Sequence, residues 1–486
     1  MATTYLERED KFDVEPAFVV PDVTSLLPPG GHIELITDKL RSRYFDTEDH
    51  DLMRAEMTLR RRTGDTDSGW QLKVPHQPAR EEIRLTRKST TVPKELERLL
   101  YGVTRGQTLK QVATILTERT LHRLFDAGGN LLAEIADDNV EASTGGAQAT
   151  ILRWREIEVE LGEGDEDSLA ALGKRLRKAG AVRASSASKL GRALSAAPRT
   201  ESAHAERPAA TPVLGYLEEQ QRVLLAGDLA LRRDQDEVIH KTRVATRRLR
   251  STLRTFGSLF DAEPAAELDN ELKWFAGLLG AVRDIQVQRG RLDRLIDELP
   301  EENVLGPVVA RIHTELGQDQ AEAWQRLQVE LTGPRYVALL NSVAAWIRNP
   351  PLTPTADSKP AVLAKMVDKA VRKVRRRLTQ ATDSADVDLL HSARKAAKRA
   401  RYAAELTEPV TGKAAHKLVT RYKHLQELLG DHQDSLVSAD LLRRLGAKAG
   451  TFPGENGFTF GLLYQRVSEE AANLRVQATH EATKHS

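Results

Sequence analysis

Tyr5-Leu6-Glu7-Arg8-Glu9-Asp10-Lys11 places Glu7, Glu9 and Lys11 at alternate positions. In an extended chain these two carboxylates and one ammonium project from the same face. Carboxylates two residues apart can hold a hard divalent cation, and a neighbouring lysine can grip a phosphate oxygen. A short alternation of charge also makes the wet side of an ordinary strand, so the rest of the chain has to decide between the two.

The alternation recurs. Candidate strands over residues 5–14, 41–46, 55–63, 69–74, 81–86, 118–125, 131–138 and 151–161 are punctuated by turn chemistry such as Gly64-Asp65 and Asp126-Ala127-Gly128-Gly129-Asn130. In the last of them Glu156, Glu158 and Glu160 share one face while Ile157, Val159 and Leu161 share the other. The apolar face needs cover, so the glutamates meet either bulk water or a polar interior. Arg60 with Arg62, Gln71 with Lys73, Glu82 with Arg84, Arg119 with Arg123, and Glu134 with Asp138 repeat the pattern. So many strands with one charged face favour an interior, a barrel whose lumen holds both signs of charge. Like-charged bases crowded there repel by about 4 kcal/mol per pair at contact distance in a half-wet site, so an anion among them is strongly held. Arginine adds forked hydrogen bonds to phosphate oxygens. Periodic stretches near 93–101, 108–116 and 166–180 read as helices, with Val92-Pro93 opening one and Gly180 closing another.

At 486 residues the chain has room for two or more domains with their own cores. Its 72 lysines and arginines against 70 acids leave a net charge of +2, so any polyanion site must come from local sorting of charge. The absence of cysteine excludes disulfides, thiolate-held zinc, iron–sulfur clusters and thiol catalysis. No basic start followed by an apolar core marks a signal peptide and no apolar run approaches a membrane span, so a cytoplasmic location is expected. Residues 198–212 carry three prolines near their ends and almost no large apolar side chain, as expected of an exposed linker, 199–212, between residues 1–198 and 213–486.

The ordered set Glu7-x-Glu9-x-Lys11, Arg41-x-Arg43-Tyr44-Phe45-Asp46-Thr47, Leu59-Arg60-x-Arg62, Leu72-Lys73, Arg119, Glu134 with Asp138, Glu156-x-Glu158-x-Glu160 and Ser188-Lys189 resembles the CYTH family, the triphosphate tunnel metalloenzymes. The resemblance implies an eight-stranded antiparallel β-barrel tunnel with flanking helices. It implies Mg or Mn held by Glu7, Glu9, Glu158 and Glu160, with Glu134, Asp138 and Glu156 as further metal candidates, and catalysis assisted by Lys11. A phosphate clamp of Arg41, Arg43, Arg60, Arg62, Lys73, Arg84, Arg119, Arg123 and Lys189 is implied as well. The run Ala136-Asp137-Asp138-Asn139 departs from the family pattern and leaves open which aspartate faces inward.

Beyond the linker, apolar positions recur at helical spacing, interrupted by Asn349-Pro350-Pro351-Leu352-Thr353-Pro354. A repeat lies within. His240, Arg243, Arg247 and Arg250 are matched 151 positions later by His391, Arg394, Lys398 and Arg401. Lys273, Leu278-Leu279-Gly280 and Asp284 recur 150 positions later as Lys423, Leu428-Leu429-Gly430 and Asp434. Two equivalent halves, about 213–348 and 360–480, each a bundle of four or five helices, are expected on either side of the proline break. From His240 to Arg254 there are six lysines and arginines and no acid, and from His391 to Tyr402 five and none. A third segment, Lys365 to Arg377, has seven bases against the single Asp368. Such faces repel themselves, and solvated surface has little reason to match position for position.

These paired His-x-x-Arg helices resemble the CHAD domain, which implies two four-helix bundles that bind inorganic polyphosphate. The implied contacts are His240, Arg243, Arg247, Arg250 and Lys273, with His391, Arg394, Lys398, Arg401 and Lys423. The whole is thus expected to be an α+β chain, a tunnel followed by an all-α domain. The expected function is metal-dependent hydrolysis of tripolyphosphate or longer polyphosphate, with association with polyphosphate granules as an extension of the cytoplasmic location. A class IV adenylate cyclase and a non-catalytic polyphosphate adaptor are the alternatives. Nucleic acid is the less favoured polyanion, because aromatic residues make up only 5% of the chain and bases would have little to stack on.

Overall fold

The opening alternation forms two aligned strand pieces, Thr3–Glu7 (β1) and Glu9–Val14 (β2), broken only at Arg8. The computed structural model describes residues 3–64, 68–76, 79–87, 89–145, 150–186, 188–195, 207–382, 387–451 and 454–483. The remaining strands are His32–Asp46 (β3), Thr58–Thr63 (β4), Gly69–His76 (β5), Ala79–Leu85 (β6), Lys110–Phe125 (β7), Leu131–Thr144 (β8), Ile151–Leu161 (β9) and Val182–Arg183 (β10). They pair antiparallel in the order β1-β6-β5-β4-β3-β7-β8-β9-β2-β10. Because β1 pairs with β6 and β2 with β9, one continuous stretch of chain belongs to both ends of the sheet and closes it. The expected strand count of eight is corrected to nine runs. β1 and β2 make one run, eight runs close the ring, and β10 pairs beside β2 at Phe12 and Asp13.

Residues 108–116, expected as a helix, lie largely in β7. Ala113, Ile115 and Thr117 are buried at alternate positions, a period of two, and β7 is paired on both sides, with β3 and β8. Strand β3 is longer than expected, beginning at His32. Short helices Asp51–Arg54 (α1), Lys94–Leu99 (α2) and Tyr101–Thr104 (α3) connect the strands. Glu166–Lys178 (α4) starts on Asp165, whose carboxylate accepts from the Ser168 amide at 2.8 Å, and is followed by Gly180 at φ +108°, a conformation that side chains resist.

Two helices give the barrel its apolar contacts. Leu172 and Leu176 of α4 pack on the outward residues Phe12, Leu124, Ile135, Ile157 and Val159, the cover that the β9 alternation required. Lys189–Ser195 (α5) fills one end of the interior instead. Its Leu190, Ala193 and Leu194 pack against Tyr44, Ala113, Ile115, Val140 and Ala142, on the same strand faces that carry charge further along. The lumen is thereby divided into a plugged apolar end and an open charged one.

The chain separates into two units, Met1–Glu201 and Ser202–Ser486. Residues 199–206 of the expected linker lie outside the described residues. Of its remainder, Pro208 and Thr211 are exposed as expected, whereas Ala209 and Ala210 are buried at the entrance to the first helix of the second unit. That unit contains Thr211–Leu231 (α6), Ile239–Thr255 (α7), Ala262–Asp297 (α8), Val308–Leu331 (α9), Pro334–Arg348 (α10), Ala361–Thr382 (α11), Val387–Thr411 (α12), Lys413–Ala449 (α13) and Phe458–Thr483 (α14). The described residues before the proline break form five helices and those after it four, within the expected four or five per half. The repeated motifs fall on α7 with α8 and on α12 with α13. At 36 and 37 residues, α8 and α13 are each about 55 Å long. Their distal ends share one core with α9 and α14, built from Leu292, Ile312, Leu442 and Leu463 among others, so the two halves interpenetrate.

Candidate functional sites

Ladder register brings charged residues of β2, β4, β5, β6, β7, β8 and β9 into one lumen. Glu9 is opposite Glu160 and Lys11 opposite Glu158, and β8 sets Glu134 beside Glu160 and Asp138 beside Glu156. From β7, Arg119 faces Asp138 and Arg123 faces Glu134. The resulting cavity of about 390 Å³ is lined by Glu9, Lys11, Arg60, Arg62, Lys73, Arg84, Arg119, Arg123, Glu134, Glu158, Glu160 and Lys189, together with Asp38, Tyr44 and Glu82. The Glu7 side chain lies outside the described residues. Its backbone pairs with Arg80 in the β1–β6 ladder.

Arg41 and Arg43 do not line the cavity. Since Tyr44 and Asp38 face inward, odd positions of β3 face outward, leaving Arg41 exposed and Arg43 half-buried on the outer surface. Asp38 and Tyr44 are the residues of this strand that the sequence reading passed over. Following the alternation rather than the charge, from Ile36 through Asp38 to Tyr44, would have found them. The open choice in the Ala136-Asp137-Asp138 run resolves inward for Asp138, which has no exposed surface. Asp137 pairs with Arg155 at 2.7 Å on the outside.

Two kinds of charge environment share the lumen. At the plug, Lys189 Nζ stands 2.6 Å from Glu156, 2.8 Å from Glu158 and 2.9 Å from Asp138, and Arg119 holds Asp138 through both carboxylate oxygens at 2.6 and 2.7 Å. Burial opposes charge on Glu158, yet Lys11, Lys189 and Arg119 hold its carboxyl well below the ordinary range. Burial likewise opposes the Lys11 ammonium, and Glu158 at 2.8 Å with Glu9 at 3.3 Å holds it above its usual range. Oxygens of Asp138, Glu156 and Glu158 lie within 4.8 Å of one another, close enough for a cation, but the Lys189 ammonium already takes that place.

Further along the lumen the balance reverses. Glu160 has no ion-pair partner among the described residues. Burial first, then repulsion from Glu9, Glu158 and Glu134, outweighs the attraction of Lys73 and pushes its carboxyl up. A cation would relieve a buried carboxylate crowded by three others, although Glu134 is already bound to Arg123 at 2.7 Å and, among the described residues, Asp138, Glu156 and Glu158 are the trio whose oxygens come within 4.8 Å of one another. Opposite stand Arg60, which donates to Gln71 at 2.6 Å, and Arg84 and Lys73, which both approach Glu82, at 2.8 and 3.5 Å.

The second unit holds a basin of about 820 Å³ between the repeated helix pairs. His240, Arg243, Arg247, Arg250 and Lys273 line it from one half and His391, Arg394 and Lys398 from the other, joined by Arg254, Arg283, Lys395 and Arg399. Arg401 and Lys423 do not: the Arg401 guanidinium lies over the Tyr402 ring at 4.9 Å and Lys423 is exposed on α13. Asp284 and Asp434 are the only acids among ten lining lysines and arginines. The repeat has a structural meaning here. A Cβ on Gly280 would come within 3.3 Å of the Arg243 guanidinium and one on Gly430 within 3.0 Å of that of Arg394, so each glycine makes the floor on which an arginine lies. Arg243 then reaches Asp284 at 2.7 Å.

Cation crowding shows in proton affinities. Burial first, then Arg394, Arg247 and Arg243, push the Lys398 ammonium down to about 6. His240 and His391 are both lowered by burial and by the bases around them. Lys398 has no carboxylate partner among the described residues.

The families corresponding to these two sites are both found in the chain. The CYTH domain family matches residues 31–194 and the CHAD domain family residues 215–443. Two proteins of Mycobacterium tuberculosis, "Uncharacterized protein MT2285" of strain CDC 1551 / Oshkosh and "Uncharacterized protein Rv2226" of strain H37Rv, are each 36% identical over 97% of this chain and 95% of their own length. The chain belongs to the CYTH–CHAD proteins. Among solved structures, PptA from Streptomyces chartreusis is similar over 57% of this chain and 99% of its own, at 24% identity and TM-score 0.47. The CHAD domain from the plant Ricinus communis is similar over 56% of this chain and 91% of its own, at 23% identity and TM-score 0.44. The CYTH family includes both triphosphatases and adenylate cyclases. Among the described residues of this CYTH–CHAD protein no helix is long and apolar enough to cross a membrane.

Proposed function

We propose that the tunnel hydrolyses inorganic tripolyphosphate or the end of a longer polyphosphate with Mg or Mn, and that the helical unit binds the polymer. The observation that carries this reading is the division of one 390 Å³ lumen into an under-neutralised carboxylate group around Glu160 and a wall of bases. Glu9, Glu158 and Glu160, with Glu134 beside them, would hold the cation. When bound, it supplies Lewis-acid neutralisation of phosphoryl oxygens. Arg60, Arg62, Lys73 and Arg84 bind the phosphate chain along the opposite wall, where low dielectric strengthens each contact, and Arg123 joins them from beside the carboxylates, where it is paired with Glu134 at 2.7 Å. Lys11, fixed between Glu9 and Glu158, is placed to meet charge developing on the transferred phosphoryl group. Arg119 and Lys189, each bound to Asp138 and Glu158, orient those carboxylates and keep Glu158 ionised. The 820 Å³ basin, lined by ten lysines and arginines, supports polyphosphate as the ligand of the second unit.

The test is a phosphate-release panel on the purified protein with tripolyphosphate, long-chain polyphosphate, ATP and thiamine triphosphate, each with Mg or Mn. Release from tripolyphosphate or polyphosphate that is lost in Glu9→Gln and in Glu7→Ala supports the assignment. Equal release by both variants removes it. Cyclic AMP formed from ATP, with no orthophosphate, would replace the hydrolase reading with the cyclase one.

A further inference from the structure

Helix α11 carries the whole base-rich segment Lys365 to Arg377, and none of that segment lines the basin. Val367, Val374 and Leu378 are buried against neighbouring helices, so Lys369, Lys373 and Arg376 are exposed and Arg377 is half-buried. Lys369, Lys373 and Arg377 follow one another at steps of four, a like-charge stripe that weakens its own helix. The stripe adjoins the basin, because α11 packs against both α12 and α7, the helices that carry the basin residues Arg399 and Arg254. Arg399 first, then burial, then Arg377, Arg376 and Arg254, lower the proton affinity of the Lys373 ammonium. One acid, Asp269, acts on Arg399 at the junction. Asp269 is already bound by Arg250 and Arg254, and among the described residues neither Arg399 nor the four bases of the stripe form an ion pair with a carboxylate.

We propose that this stripe is a second phosphate-binding track, formed by Lys369, Lys373, Arg376 and Arg377, that takes the part of a polyphosphate chain extending beyond the basin and so selects for long polymers. The proposal rests on the reading of the helical unit as a polyphosphate binder. A linear inorganic polyanion fits better than RNA, because residues 361–382 contain no aromatic side chain on which a base would stack.

The experiment uses the full chain in chelator, so that the polymer is not consumed, and measures affinity for tripolyphosphate and for long-chain polyphosphate. Replacing Lys369, Lys373, Arg376 and Arg377 together by alanine is expected to lower long-chain affinity about tenfold or more and to flatten its salt dependence, since phosphate contacts are lost. Tripolyphosphate affinity stays within about twofold, because the basin residues assigned to binding are untouched. An unchanged or raised melting temperature verifies that the variant is folded. Arg394→Ala, in the basin, lowers both affinities. Unchanged long-chain affinity in the quadruple variant, an equal fall for both ligands, or loss of single-stranded RNA binding with long-chain affinity retained would each overturn the track. Failure of the unsubstituted protein to bind either ligand overturns the polyphosphate reading itself, an outcome distinct from loss of the length effect alone.

Discussion

Glu160 and Lys398 are opposite versions of the same residue-scale situation, a charge held where its neighbours disfavour it. Burial, with Glu9, Glu158 and Glu134, raises the Glu160 carboxyl above its ordinary value of 4.5, so the folded chain holds that proton more tightly than the unfolded one. Ionisation above the folded value therefore weakens the fold, and the penalty vanishes below the ordinary value. Glu160→Gln is expected to raise the melting temperature at neutral pH without divalent ions by roughly 2 °C or more, read by calorimetry. The same change should lower divalent-dependent phosphate release by about 100-fold and abolish the stabilisation that Mg or Mn gives the unsubstituted protein. For Lys398 the folded value of about 6 lies below the ordinary 10.5, so between them the unfolded chain binds the extra proton and stability rises with pH across that window. A polyanion in the basin restores the proton. Calorimetry in buffers of different ionisation enthalpy should show proton uptake on polyphosphate binding near pH 7.5, reduced by about one proton in Lys398→Met. Uptake unchanged in the variant would remove Lys398 from the binding event.

At the scale of elements, positions were legible where one periodicity held and illegible where neighbours chose between two. The β9 glutamates were placed by alternation because Ile157 and Val159 needed apolar cover, which Leu172 and Leu176 of α4 supply. Arg41 and Arg43 were implied by the family resemblance on a strand read too short, while the register that turns Asp38 and Tyr44 inward is imposed by β7, far along the chain. Residues 108–116 read as a helix because their apolar residues fit either period, and pairing on both edges decided for strand. The repeated glycines lead to a further prediction. Gly430→Ala removes a residue that costs a helix about 1 kcal/mol relative to alanine, so stability should hold or rise. The new Cβ, 3.0 Å from the Arg394 guanidinium, lifts that arginine from its floor, and affinity for polyphosphate should fall severalfold. Thermal melting and a binding titration on one preparation separate the two effects, and unchanged affinity would show that the floor does not position Arg394.

On the scale of the whole molecule, the two units Met1–Glu201 and Ser202–Ser486 each possess their own core and site. Expressed separately, residues 1–201 should retain turnover of tripolyphosphate, while the rise in KM for long polymers measures what the helical unit contributes. Loss of tripolyphosphate turnover in the isolated first unit would contradict this division of labour. Binding by residues 202–486 should weaken steeply with salt, as expected when many bases meet one polyanion, and a flat salt response would contradict ion pairing as its basis. The sequence by itself determined the two-part organisation, the charged alternation of the barrel strands and the duplicated basic helices. Each of these is written in local periodicity or in direct repetition, which the chain cannot express in any other place. Only the tertiary structure decided which face of β3 looks inward, that Lys189 sits among Asp138, Glu156 and Glu158, and that α8 and α13 knit the two halves into one core. Those features depend on register, plugging and packing between segments distant in the chain, where the free energy belongs to the contact and to neither partner alone.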